Sequence, residues 1–184
     1  MKKISSLLLI LLLCWSLSGC VTAETHDSLS SDEATIENPA SLMEKVTIEE
    51  SSGVFSIQLN NTYVGNNATN FLANIGENPK NFVAVDGYKM IVQEYTVSAD
   101  EGYESGSFGY YPGDMWDTEH KSKYEYLMPE LYKNASLDFL NISLRAGESS
   151  KMYFVFELPK DVDRYISPIN GIHRDFWFTY DVSQ

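Results

Sequence analysis

The sequence predicts an all-β domain built as a β-sandwich with one or two short helical segments. Three observations lead there. The apolar segments are short, alternate, and are rich in Val, Ile, Phe and Tyr. Turn signals separate them, at Ser52-Gly53, Asn78-Pro79, Asp86-Gly87, Pro112-Gly113 and Ala146-Gly147. Apolar spacing of helical period is scarce.

Taken in order, Val46-Thr47-Ile48 is a short first strand. Val54 to Leu59 puts Phe55, Ile57 and Leu59 on one face and Ser56, Gln58 and Asn60 on the other. Asn67 to Ile75 has Ala68, Phe71, Leu72 and Ile75 near helical spacing and predicts a turn or two of helix. Tyr88 to Val97 is apolar on both faces over Met90-Ile91-Val92, as a central strand requires. Tyr126 to Tyr132 is a second helical candidate, limited by Pro129. Met152 to Leu158 points Met152, Phe154, Phe156 and Leu158 one way, and Pro159 stops it. Arg174 to Val182 sets Phe176, Phe178, Tyr180 and Val182 against Asp175, Trp177, Thr179 and Asp181. The inward phases of these last two strands are the expected core.

Ahead of this domain stands an export signal. Lys2 and Lys3 precede an apolar run from Leu7, which is too short to cross a bilayer core of about 20 helical residues. Leu17-Ser18-Gly19-Cys20 then resembles the lipobox of bacterial lipoproteins. That resemblance implies cleavage before Cys20 and lipidation of its thiol. It divides the chain into a signal peptide (1–19), a lipidated N-terminus with a tether (20–37) and a folded domain (38–184). The tether reads as disordered because Val21 to Glu37 is rich in Ser, Thr, Asp and Glu and poor in large apolar residues. The expected location is the outer face of a bacterial cell membrane. Of the two cysteines, Cys14 leaves with the signal and Cys20 is consumed by lipid, so no disulfide is expected although export permits one.

The formal net charge is −13, and loss of Lys2 and Lys3 makes the mature chain two charges more negative. Such a surface repels phosphate backbones, which excludes nucleic acid as a partner and disfavours flat contact with anionic lipid. A basic protein, a cation or a neutral glycan stays open.

Further along, Asn38-Pro39-Ala40-Ser41-Leu42, Asn81-Phe82 and Asp86-Gly87-Tyr88 are followed by Leu144-Arg145-Ala146-Gly147-Glu148. Then comes Met152-Tyr153-Phe154-Val155-Phe156-Glu157-Leu158-Pro159-Lys160-Asp161. In order and spacing these segments resemble the DUF4352 group of Gram-positive secreted proteins and lipoproteins, over nearly all of 38–184. The resemblance implies a telokin-like, immunoglobulin-like fold. It supplies no catalytic residues. Thr96-Val97-Ser98 stands where relatives often close the long strand with Asn, and the loop from Ala99 to Tyr111 is expanded.

Candidate sites are few. His26, His120 and His173 are scattered, and Gly-x-Ser-x-Gly is absent, so the chain is expected not to be an enzyme. Asp100, Glu101, Glu104, Asp114, Asp117 and Glu119 lack the spacing of a calcium loop and read as a solvated acidic surface; no metal or cofactor is expected. The aromatic loop 103–132 is the candidate binding region, with Tyr103, Phe108, Tyr110, Tyr111 and Trp116 as its foremost residues. Such rings either pin a loop over its own sheet or offer large contact area at small entropic cost. The expected function is a lipid-anchored extracellular module that meets another extracellular or membrane protein. The alternative is a binder of a small ligand, a glycan or cell-wall material through that loop.

Overall fold

The computed structural model describes residues 28–51, 53–102, 106–109, 111–127, 141–170 and 175–183. The strands are β1 (Ser28–Ser30), β2 (Lys45–Glu50), β3 (Gly53–Val64), β4 (Tyr88–Ala99), β5 (Gly106–Gly109), β6 (Tyr111–Pro112), β7 (Met115–Trp116), β8 (Lys123–Tyr124), β9 (Asn141–Leu144), β10 (Ser149–Pro159), β11 (Arg164–Asn170) and β12 (Asp175–Asp181). Among the described residues one α-helix, α1 (Asn66–Asn74), follows β3. The first sheet runs β1-β2-β3-β4-β10 and the second β12-β11-β7-β8, with β6 also on β11; β5 and β9 form a separate ribbon. The chain is all-β and sandwich-like, as its alternation predicts.

The core lies between the two sheets. Phe55, Ile57, Leu59, Ile91, Phe154 and Phe156 meet Tyr165, Ile169, Phe176, Phe178 and Tyr180, all buried. Within it sits a polar network. The Tyr95 hydroxyl lies 2.6 Å from that of Tyr180 and donates to Gln93 Oε1 at 3.1 Å, while Gln93 Nε2 donates to the Tyr165 hydroxyl. The rings of Tyr165 and Tyr180 stack at 4.7 Å. Burial on this scale is tolerable because, among the described residues, every buried side-chain polar atom finds a partner.

The opposite face of the first sheet is covered by α1. Ala68 and Leu72 pack on Met90, Val92 and Val155, which is why β4 is apolar on both faces. A bulge makes the fit. Leu59 opposes Tyr95 and Asn61 opposes Glu94, leaving Asn60 as the extra residue. The bulge reverses the phase of β3. Before it Phe55, Ile57 and Leu59 face the sandwich; after it Tyr63 faces the helix and stacks on Phe71 at 4.1 Å.

Three expectations need correction or limits. The tether of 20–37 is not disordered throughout. β1 pairs in parallel with β2, and residues 34–40 then cross to the second sheet. There Trp177 N–H donates to Ala34 O (2.9 Å), Ala40 N–H to Trp177 O (2.8 Å), and Thr179 N–H to Ala40 O (2.8 Å). Ala34 and Ala40 are fully buried. The composition misleads because this strap binds through its backbone and two small side chains. Its polar residues make turns: Ser30 N–H and Oγ both donate to the Glu33 carboxylate, which holds that carboxyl below its usual value. The second helical candidate falls mostly outside the described residues, but Leu127 makes an antiparallel β-bridge to Glu157 and is extended there. Strand β11 is not marked in the sequence, since Pro168 in its middle cannot donate to a ladder; the Pro168 carbonyl accepts from Gly113 N–H at 2.8 Å.

Candidate functional site

The outer face of the second sheet carries the candidate site. In β7 alternation buries Met115 and turns Trp116 outward. Trp116 stands opposite Ile166 of β11 on one side and Lys123 of β8 on the other. On the far side of β11, Pro168 stands opposite Trp177 of β12. Inward Phe176 and Phe178 fix the phase of β12, so Trp177 emerges on the same outer face as Trp116, half-buried like it.

Between them lies an open depression of about 470 Å³ lined by Trp116, Trp177, Tyr126, Pro168, Asp114 and Asp175. Tyr126 is anchored below by an edge contact to Phe156 at 6.1 Å. Burial, with the Asp114 charge behind it, pushes the Tyr126 phenol up. Register places Lys123 over Trp116, its ammonium 4.8 Å from the ring centroid, and Lys123 also pairs with the Asp114 carboxylate. The negative face of an indole and a nearby carboxylate together attract a cation. The depression therefore suits a cationic side chain on a partner, and this lysine shows the geometry in miniature.

Trp116 is the predicted residue that lines the depression. Tyr111 reaches the same sheet through its pairing with Asn170, whereas Phe108 lies in β5, on the separate ribbon with β9; only the backbone of both is described. Tyr103, Tyr110 and Cys20 lie outside the described residues. Trp177 and Tyr126 were not among the foremost site residues. The signal for Trp177 was present, as a large ring on the outward phase of an alternating strand. Asp114 pairs with Lys123 and Glu119 with Lys121, both exposed. Backbone N–H groups of Lys121 and Glu119 bond to Asp117 and hold its carboxyl below the usual value. Among the described residues no group of three or more His, Cys, Asp or Glu is placed to hold a metal ion.

No family model matches the chain, and no curated protein does. Among solved structures, the yjhA protein from Bacillus subtilis is similar over 78% of this chain and 98% of that one, at 12% identity and a TM-score of 0.40. That similarity is too slight to transfer fold or function.

Proposed function

We propose that this chain is a lipid-anchored, extracellular, non-catalytic binding module of the DUF4352 kind, and that it meets a partner protein through the outer face of its second sheet. The observation that carries the reading is the pairing of Trp116 and Trp177 across β11, with Asp114 and Asp175 at the rim. Trp and Tyr are enriched among the residues that dominate protein interfaces, and a cation on the partner would meet the Trp177 ring and the Asp175 carboxylate, Trp116 and Asp114 being engaged by Lys123. The net charge of −13 favours a basic partner surface.

Placing a photo-crosslinking residue at Thr179, beside Trp177, on intact cells tests it. A discrete crosslinked protein is expected, and it should disappear when Trp116 and Trp177 are both changed to Ala. Since both indoles are half-exposed, melting of the double variant serves as the folding control. Persistence of the same crosslink in a folded double variant would remove the face from the mechanism.

Anchoring rests on the lipobox and has its own test. Cys20→Ala should move the protein from the membrane fraction to the medium, because the lipid is then absent and the acidic domain has no attraction for anionic lipid. Unchanged membrane retention would refute lipid anchoring. Cys20 precedes Ser28 by eight positions, so the edge of the first sheet sits within about 30 Å of the acylated residue even at full extension.

A further inference from the structure

A second cavity lies on the other side, over the first sheet, and belongs to none of the above. It measures about 1200 Å³ and is bounded by α1, the end of β3, residues 82–84 and the start of β4. From this cavity we infer a second binding site, one for an oligosaccharide chain.

The helix is the first ground. Its sequence, Asn66-Asn67-Ala68-Thr69-Asn70-Phe71-Leu72-Ala73-Asn74, is rich in a residue that ranks among the poorer helix formers. Asn66, Asn70 and Asn74 recur at intervals of four and form one stripe, while Ala68 and Leu72 bury the opposite one. Asn is favoured at helix ends for capping, but here the N-cap is Gly65 and no side chain caps it. Among the described residues none of the amides of Asn66, Asn67, Asn70 and Asn74 has a hydrogen-bond partner. All four side chains are exposed and line the cavity. The fold gains nothing from them that Ala would not supply better.

Charge is the second ground. The chain carries 26 acidic residues, yet among the described residues no Asp or Glu lines this cavity. The charged residues that do line it are Lys89 and Lys160. Lys89 is engaged, its ammonium donating to Val182 O at 2.7 Å, whereas Lys160 is exposed and only 3.9 Å from Asp86. A cation gains nothing here; a neutral or anionic ligand is not repelled.

Shape and surface are the third. Tyr63 and Phe71 stack face to face beside the cavity, and the Tyr63 hydroxyl is held by Glu94 at 2.9 Å, with Lys151 paired to the same carboxylate. Tyr88 and Val83 add apolar surface at the margin. Uncharged amides that both donate and accept suit hydroxyl groups, and ring faces suit the C–H faces of sugars. The cavity exceeds the range of about 300–1,000 Å³ usual for a small molecule, so a chain of sugar rings fits it better than one ring. This site and its ligand class differ from the acidic, aromatic depression on the second sheet.

The full-length protein in detergent, titrated with chitotetraose, with an oligogalacturonate and with a chitosan oligomer, tests the inference. Binding of the neutral or the anionic chain is expected, with the relative strength of the two reporting whether Lys160 contributes; the cationic chain should bind worst. Changing Asn66, Asn70 and Asn74 together to Ala should weaken binding at least tenfold while raising the melting temperature, since Ala is the better helix former. Trp116→Ala should leave glycan binding unchanged. No binding of either favoured chain at millimolar concentration, preference for the cationic one, or unaltered affinity in the triple variant would overturn the proposal. A lowered melting temperature in that variant would do so too, because the amides would then be structural.

Discussion

Above about pH 10, where a free phenol ionises, the protein is expected to lose stability steeply. The cause is the buried trio of Tyr95, Tyr165 and Tyr180. Burial pushes all three phenols far above their ordinary value, and for Tyr95 the neighbouring Tyr180 adds to the shift. The folded state therefore keeps protons that the unfolded state releases. Stability is undiminished below the unfolded value, and is lost as pH rises from there toward the folded ones. Each phenol contributes a slope of about 1.4 kcal/mol per pH unit, so three contribute about 4. Against a typical domain stability of about 5–15 kcal/mol, that unfolds the protein within a few units. Lys89 acts in the opposite sense, since burial lowers its ammonium despite nearby Asp163, Asp161 and Asp181, but its effect ends near the ordinary lysine value of about 10.4. Urea titrations between pH 10.5 and 12 should show at least three protons released on unfolding, since the partly buried Tyr63, Tyr124, Tyr126 and Tyr153 are raised as well. Tyr95→Phe should reduce the slope by one. A slope of one proton or less would mean that the phenols ionise inside the folded core.

Phe178→Ala is expected to cost about 3–5 kcal/mol, the lost transfer energy plus a cavity. Phe178 is wholly buried, sits edge-on to Tyr95 at 5.8 Å, and lies between Phe176 and Tyr180. No neighbour can collapse easily into the space, since the surrounding rings are held by each other and by the hydroxyl network. Thr179→Ala, one residue on, should change stability by no more than about 0.5 kcal/mol. Its side chain faces outward, and the bond it makes to Ala40 is a backbone one that Ala retains. The denaturation midpoint should move for Phe178→Ala with little change in slope. Equal damage from Thr179→Ala would show that the faces of β12 are assigned the wrong way round.

The same strand shows what a sequence makes legible. Each inward position of β12 is large and apolar, so period two was visible without any partner. In β3 the alternation is legible to Leu59 and then misleads, because the bulge at Asn60 comes from pairing with β4 rather than from any local residue. The covering helix was legible in the spacing of Ala68 and Leu72, although its Asn stripe has meaning only beside the cavity. Trp116 stood out among aromatics. Its partner Trp177 lies some 60 positions away in the chain, and the two meet only because β11, hidden by Pro168, runs between them. Lipidation and the family resemblance were read from short motifs; the geometry of the domain does not bear on them.

The strap of residues 28–40 decides where the chain can be cut. A recombinant form beginning at Asn38, the boundary that composition suggests, would lack β1 and Ala34. Val46 and Ile48 of β2 would then sit on an uncovered sheet edge with its backbone groups unpaired, a template for a second molecule. Along β12 the bond from Trp177 N–H to Ala34 would be lost, loosening the backbone that carries one of the two site indoles. Material prepared that way would tend to pair edge to edge and would report poorly on ligand binding, whereas an expression boundary upstream of Ser28 keeps β1 on β2 and the strap on β12.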